Sequence, residues 1–332
     1  MSEQEPKPYK EIPIGQEKEE EPKISYEILY SAHRTAKDFE KLDEAFPKCD
    51  IYVPECSDWT PEILADLQSL SKGEITPKKL MEKNGWPENS SWEKDYEIIY
   101  RSQKPILFAD LGRRHELEKI EILVRVLFNQ SFEEFTDGNF PVALQKMREF
   151  AAEKAEYHQK REEIMKANLE TKIKATIENN PQFKNKKEIK VLLSLGAVHT
   201  PLFHSLKKEK PSTPREFANL PLVFISQDET IRRKMFSKEI KDELLAKMFV
   251  EHFLLKHFED IADDSNKISR IVRKISSKIS LDEIKKLSEN WRELDTRSFG
   301  LPPILIKFFR DKRIKIPKTE KEIDEILKPL EE

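Results

Sequence analysis

Lys190-Val191-Leu192-Leu193-Ser194-Leu195-Gly196-Ala197-Val198-His199 is an apolar run that ends in a polar corner, and Thr200-Pro201 follows it at once. An apolar run of this length bounded by turn signals predicts a buried strand. A threonine before a proline then predicts a helix start, with the proline at the first helical position. The same design occurs at Ile28-Leu29-Tyr30-Ser31-Ala32-His33, after which Thr35 and Asp38 form an acidic relative of the capping box.

Working outward, Ser25–Ala32, Asp50–Pro54 and Pro105–Ala109 read as further strands, and Leu220–Ile225 as an edge strand that Pro221 weakens. Between them the spacing predicts helices. Phe39, Leu42 and Phe46 share one helical face, as do Ile63, Leu64, Leu67 and Leu70 before Gly73. Pro141 to Asn179 is helical without a glycine, about 58 Å if unbroken. Beyond residue 228 the pattern is helical over 229–260, 265–277, 280–293 and 319–330. Gly85, Trp86-Pro87 and Trp92 fall in a loop whose tryptophans are expected to pack as a lid. Strands alternating with helices predict an α/β fold: a mainly parallel central sheet flanked by helices, with a largely helical C-terminal region. The expected division is a disordered acidic tail over 1–23, an α/β core over 24–228 and helices over 229–332.

Composition narrows the function. The chain has 332 residues, 37% hydrophobic and 36% charged, with 59 basic against 62 acidic side chains and a net charge of −3. That balance gives no electrostatic reason for nucleic acid or an anionic membrane as partner. No apolar stretch reaches the length of a membrane span. The first 23 residues, with seven Glu and four Lys, do not read as a signal peptide, so the expected location is cytoplasmic. Cys49 and Cys56 form no CxxC pair, which removes a cysteine zinc site and leaves reduced thiols as the reading.

His33, Glu55, Asp110 and His199 each fall just past the carboxyl end of an expected strand. In a parallel sheet those ends share one edge, where open α/β sheets bind ligands and helix N-termini favour negative charge. Two imidazoles and two carboxylates there could ligate a divalent metal that activates water. Alternatively, a histidine could act as a base oriented by a carboxylate. The plainer assignments are caps for Glu55 and Asp110, satisfied corner histidines for His33 and His199, and a surface arginine among i,i+4 ion pairs for Arg161. Arg113 and His115 follow Asp110 and could face the same edge. His252 and His257 sit in an amphipathic pattern as core or surface residues, His204 is poorly placed to share a metal with His199, and Cys56 is a weak nucleophile candidate.

Four segments in order resemble the TraB, Tiki, erythromycin-esterase and ChaN-like superfamily. They are Tyr30-Ser31-Ala32-His33, Val53-Pro54-Glu55, Arg161-Glu162-Glu163-Ile164-Met165 with its apolar continuation, and Gly196-Ala197-Val198-His199. The likeness covers about residues 25–206, with Tyr30 standing where the first Gly-x-x-His expects glycine. It implies a hydrolase of ester or amide bonds acting on a small-molecule or peptide substrate. His33 and Glu55 would activate water or bind a divalent metal, His199 would be a second ligand or stabilise the transition state, and Arg161 would hold an oxyanion. Asp110, Arg113 and His115 are the expected substrate-side residues. A degenerate site that binds a ligand or metal without turnover is the alternative.

Overall fold

A computed structural model describes residues 21–31, 35–57, 59–85, 91–113, 115–291 and 301–328. The expected acidic tail, His33 and the Trp86-Pro87 loop lie outside the described residues, or largely so; Trp92, expected in that loop, falls instead in the first turn of a helix that begins at Ser91.

The expected α/β architecture is present. Four strands, β1 (Lys23–Ser31), β2 (Ile51–Pro54), β3 (Glu188–Gly196) and β4 (Arg215–Phe217), form an all-parallel sheet in the order β2-β3-β1-β4. β1 and β3 run side by side over their full length, from Lys23 opposite Glu188 to Ser31 opposite Gly196. Pro54 stands level with Ser194, so the carboxyl ends of β1, β2 and β3 reach one edge together. Both faces are covered, which is why β1 and β3 read as almost continuous apolar runs. Ile28, Tyr30, Val191, Leu193 and Leu195 face one core; Leu29, Tyr52 and Leu192 face the other.

Helix starts follow the sequence signals closely. Thr35 caps α1 (Ala36–Ala45) in a full capping box with Asp38. Thr60 caps α2 (Pro61–Ser71), and Thr76 caps α3 (Pro77–Asn84), each with proline at the first turn. α4 (Ser91–Ser102) and α5 (Glu118–Thr136) follow, and then α6, a single helix from Phe140 to Glu178. Its two halves serve different cores. Phe140, Ala143, Met147, Phe150 and Ala151 pack among the C-terminal helices, whereas Met165, Leu169 and Ile173 pack on the sheet.

Three expectations need correction. Pro105–Ala109 is not a strand: it makes one parallel bridge, Ile106 to Tyr52. The amide of Tyr52 donates to Pro105 O at 2.9 Å and that of Leu107 to Tyr52 O at 3.1 Å. Beyond this the carbonyls of Phe108, Ala109 and Asp110 are taken by side chains instead of a neighbouring strand. Lys172 Nζ reaches Phe108 O at 2.8 Å, Asn168 Nδ2 reaches Ala109 O at 2.9 Å, and Trp59 Nε1 reaches Asp110 O at 2.8 Å. Leu220–Ile225 is not the edge strand either. Pro221 has no N–H for a ladder, and the pairing to β1 is made earlier, by β4 and by the amide of Ala218 to Tyr30 O at 2.9 Å.

The expected helix 229–260 is two helices, α8 (Ser226–Met235) and α9 (Asp242–Glu259). They are separated by a turn in which Ser237 takes a left-handed φ of 52° without the glycine that usually marks it. α7 (Thr200–Glu209) precedes them; α10 (Ser265–Ser276), α11 (Leu281–Glu289), α12 (Pro303–Asp311) and α13 (Glu320–Leu327) complete the chain. His252 packs its ring against Phe128 and Phe132, as a core reading requires. No described helix is long and apolar enough to cross a membrane.

Candidate functional site

Glu55 leaves β2 beside the end of β3: its amide donates to Ser194 O at 2.8 Å, and its Oε2 accepts from the amide of Gly196 at 2.5 Å. The chain turns after Gly196 through a short 3-10 segment, Ala197–His199. This delivers the fully buried His199 ring onto Glu55, with Nε2 3.1 Å from Oε1. Helix α6 supplies the third component. Its positions 158, 161, 162 and 165 lie on one face, and that face turns inward at the sheet edge.

Arg161 forks onto Asp110, with Nε 2.8 Å from Oδ1 and Nη2 2.5 Å from Oδ2, and Nη2 also reaches Glu55 Oε1 at 3.0 Å. Such a fork is the strong, orienting form of carboxylate recognition. Asp110 is sealed from solvent and also caps its neighbour, Oδ1 accepting from the amide of Leu111 at 2.7 Å. Glu162 lies on the other side of His199, its Oε1 3.4 Å from Nδ1, within ion-pair reach but not aligned as a hydrogen bond. The charges therefore alternate: Asp110, Arg161, Glu55, His199, Glu162.

The surroundings set the protonation. Burial alone would push the His199 imidazole down, yet Glu55 and Glu162 outweigh it and raise its pKa to about 9. Burial raises the Glu162 carboxyl, opposed by His199 and Arg161. Burial opposes the Arg161 charge too, and Asp110 and Glu55 more than restore it. One turn earlier on α6, His158 is held neutral, first by burial and then by the positive charge of Lys154 and His199. Its ring meets that of His199 at 6.2 Å, edge to face.

Strand ends brought His33, Glu55, Asp110 and His199 forward as one constellation and the resemblance added Arg161; the fold joins Glu55, Asp110, Arg161 and His199. Arg161 is buried, not a surface arginine. His33 lies outside the described residues. Arg113 is exposed, and His115 faces Glu121, 3.4 Å away, and the ring of Tyr157, so neither enters the network. Glu162 and His158 went without a role, although polar residues in register with Met165 and Leu169 on a buried stripe were a readable signal. Tyr30 has a purpose of its own: its hydroxyl donates to His199 O at 3.2 Å and its ring packs 5.0 Å from that of Phe217. It braces the corner that carries the histidine. Val198 packs with Ile231 and Met235 of α8, which holds the same corner from the helical side.

Glu55 also borders a cavity of about 350 Å³ on the opposite face of the sheet, walled by Phe39, Tyr52, Tyr96 and Phe108, with Asp38 and Asp95 on its lining. That size is within the usual range for a small-ligand site. Cys56 stands at the wall of this cavity and Cys49 is buried, and neither is in a disulfide.

A divalent metal on His33, Glu55 and His199 was one expectation, and of these His33 lies outside the described residues. A ligating nitrogen must be unprotonated, whereas both His199 nitrogens face carboxylates and the ring is held charged. Glu55 Oε1 already accepts from two cationic side chains. Among the described residues the donors do not form a metal site. Comparison with protein-family models, curated proteins and solved structures finds no match to this chain.

Proposed function

We propose that this chain is a hydrolase of ester or amide bonds, of the TraB, Tiki and erythromycin-esterase-like kind, acting on a small-molecule or peptide substrate in the cavity beside Glu55. One observation carries the reading. Glu55 belongs both to the buried ion network and to the cavity wall, at the edge of the sheet where α/β folds place their chemistry.

In this reading Glu55 is the base. It takes one proton from a water molecule in the cavity while the water oxygen bonds to the substrate carbonyl. That proton then passes to the departing alcohol or amine as the acyl bond breaks. Arg161 and His199, on the far side of the carboxylate, keep it anionic and fix its orientation, and Asp110 fixes Arg161 in turn. His199, fully buried, is thus a positioning residue here, not a ligand of the substrate. A positioned general base is worth about 10²–10⁴-fold in rate. Glu55→Gln, which keeps the shape and loses the charge, is therefore expected to lower turnover of any ester or peptide found as substrate by that factor. Undiminished turnover in Glu55→Gln sinks the proposal.

A binding role without turnover is favoured by a different observation: the cavity walls are mostly aromatic and aliphatic, with Phe39, Leu42, Leu67, Ile99 and Phe108 among them. A ligand that raises the unfolding temperature, with no hydrolysis across ester and peptide panels, would establish it.

A further inference from the structure

We infer that the Arg161 guanidinium occupies the place a divalent cation would take between Asp110 and Glu55, so that this site works without a metal. The proposal deepens the hydrolase reading and rests on it only for the chemistry served.

The carboxylate oxygens of Asp110 and Glu55 are already engaged. Asp110 Oδ1 accepts from Arg161 Nε and from the amide of Leu111; Oδ2 accepts from Arg161 Nη2. Glu55 Oε1 accepts from Arg161 Nη2 and His199 Nε2, and Oε2 from the amide of Gly196. Every oxygen of the two carboxylates thus already faces a donor, and three of those donors sit on side chains that carry positive charge. A metal that replaced them would need two or more of these oxygens. His199 is itself taken up by carboxylates, with Nε2 3.1 Å from Glu55 Oε1 and Nδ1 3.4 Å from Glu162 Oε1.

Asp110 and Glu55 already share the Arg161 charge. A dication added there would stand beside a buried guanidinium, with the Arg161 side chain only 8% exposed. Arg161 reaches this position because α6 crosses the sheet edge with its 161 face inward. A planar fork, unlike a lysine ammonium, can bridge two carboxylates at once.

The test uses the full chain. Protein purified without chelator is incubated with Zn²⁺ or Mn²⁺, desalted and analysed for metal, and its unfolding temperature is followed with either ion or with EDTA. Ligand that binds only the folded state raises that temperature. The expected result is retention below about 0.1 equivalent and a midpoint unmoved within about 1 °C, since a site already filled by its own cations gains nothing by linkage. One equivalent retained, or a midpoint lowered by EDTA, overturns the inference.

Arg161→Met supplies the converse, since it frees the Asp110 and Glu55 oxygens that the guanidinium now holds. This variant is expected to retain metal and to be stabilised by Mn²⁺, and a variant that takes up none overturns the claim that Arg161 holds the cation's place. Should the variant not fold, the measurement on the unaltered chain decides alone. Because metal content is read without substrate, a metal-free chain with no turnover counts against the hydrolase reading only. Turnover by a chain that keeps its metal counts against this inference only.

Discussion

The stability of this protein should fall steeply between about pH 6.5 and 9, and His199 is the reason. Its imidazole has a pKa near 9 in the folded chain against an ordinary value of 6.5. The native state therefore binds one proton more than the unfolded state throughout that window. Stability from this source is complete below pH 6.5 and is lost as pH rises through 9. At about 1.4 kcal/mol for each pKa unit, the loss is about 3 kcal/mol, a large part of the 5–15 kcal/mol that typically holds a domain together. The His199 side chain is fully buried, so solvent screening does not reduce the figure as it would at a surface.

Other shifted groups act mainly elsewhere. His252, lowered to about 4 by burial and Lys256, works below pH 6.5, as does Asp228, raised to about 6 by burial and Glu251. Tyr26 and Cys49, both pushed up to about 12 by burial, contribute above pH 9. Lys154 and Lys172, lowered by burial, act in the opposite sense toward alkaline pH. A comparison with His199→Gln removes all of these. Urea unfolding at about pH 6.5, 7.5, 8.5 and 9.5, analysed by linear extrapolation, should show the gap between native and variant shrinking by about 3 kcal/mol across the series. A gap that stays constant with pH would refute the reasoning.

Arg161→Met should cost about 3–5 kcal/mol in the same assay, because it strands a sealed Asp110 carboxylate; a loss under about 1 kcal/mol would contradict the buried pairing. Glu251 accepts from Ser226 N, Ser226 Oγ, Arg273 Nη1 and Ser276 Oγ, and so ties α8, α9 and α10 together. Glu251→Ala is expected to destabilise by at least about 3 kcal/mol, while Ser276→Ala costs about 1 kcal/mol; equal effects would argue against Glu251 as the hub. Thiol labelling of the folded chain should modify Cys56 first and reach Cys49, 4% exposed with its thiol pushed up to about 12, only on unfolding. Simultaneous labelling of both would show that the Cys49 pocket opens.

The sheet and the site were legible to different depths. Strand-end residues show in sequence because an apolar run stops where its segment leaves the sheet, and Glu55, Asp110 and His199 were found that way. Arg161 needed a second source, since a charged residue within a 39-residue charged helix has no local mark. Glu162 and His158 share a stripe with Met165 and Leu169, but their partner lies beyond the next strand, and it is the packing of α6 on the sheet that gives that stripe its polar role. The missed edge strand has a similar cause. β4 is three residues long, too short for alternation to register, whereas the more apolar stretch after Pro221 drew attention by composition. The left-handed break at Ser237 had no glycine to announce it.

Helix α6 has a consequence for how the chain is made. It is synthesised before β3 and before α9, the elements against which its two buried stripes come to rest, and α5 is the partner nearest to it in sequence among those that precede it. A nascent chain halted after residue 178 would hold a long helix whose first patch has α5 but not yet α9 to cover it, and whose second patch has β1 and β2 but not β3. Such surface invites chaperones and self-association. The late pairing of β3 with β1, strands set far apart in the chain, adds a slow step of its own. Arg161, Glu162 and His158 therefore wait on a preformed helix for Glu55 and His199 to be brought to them, and the ion network should be among the last features to close.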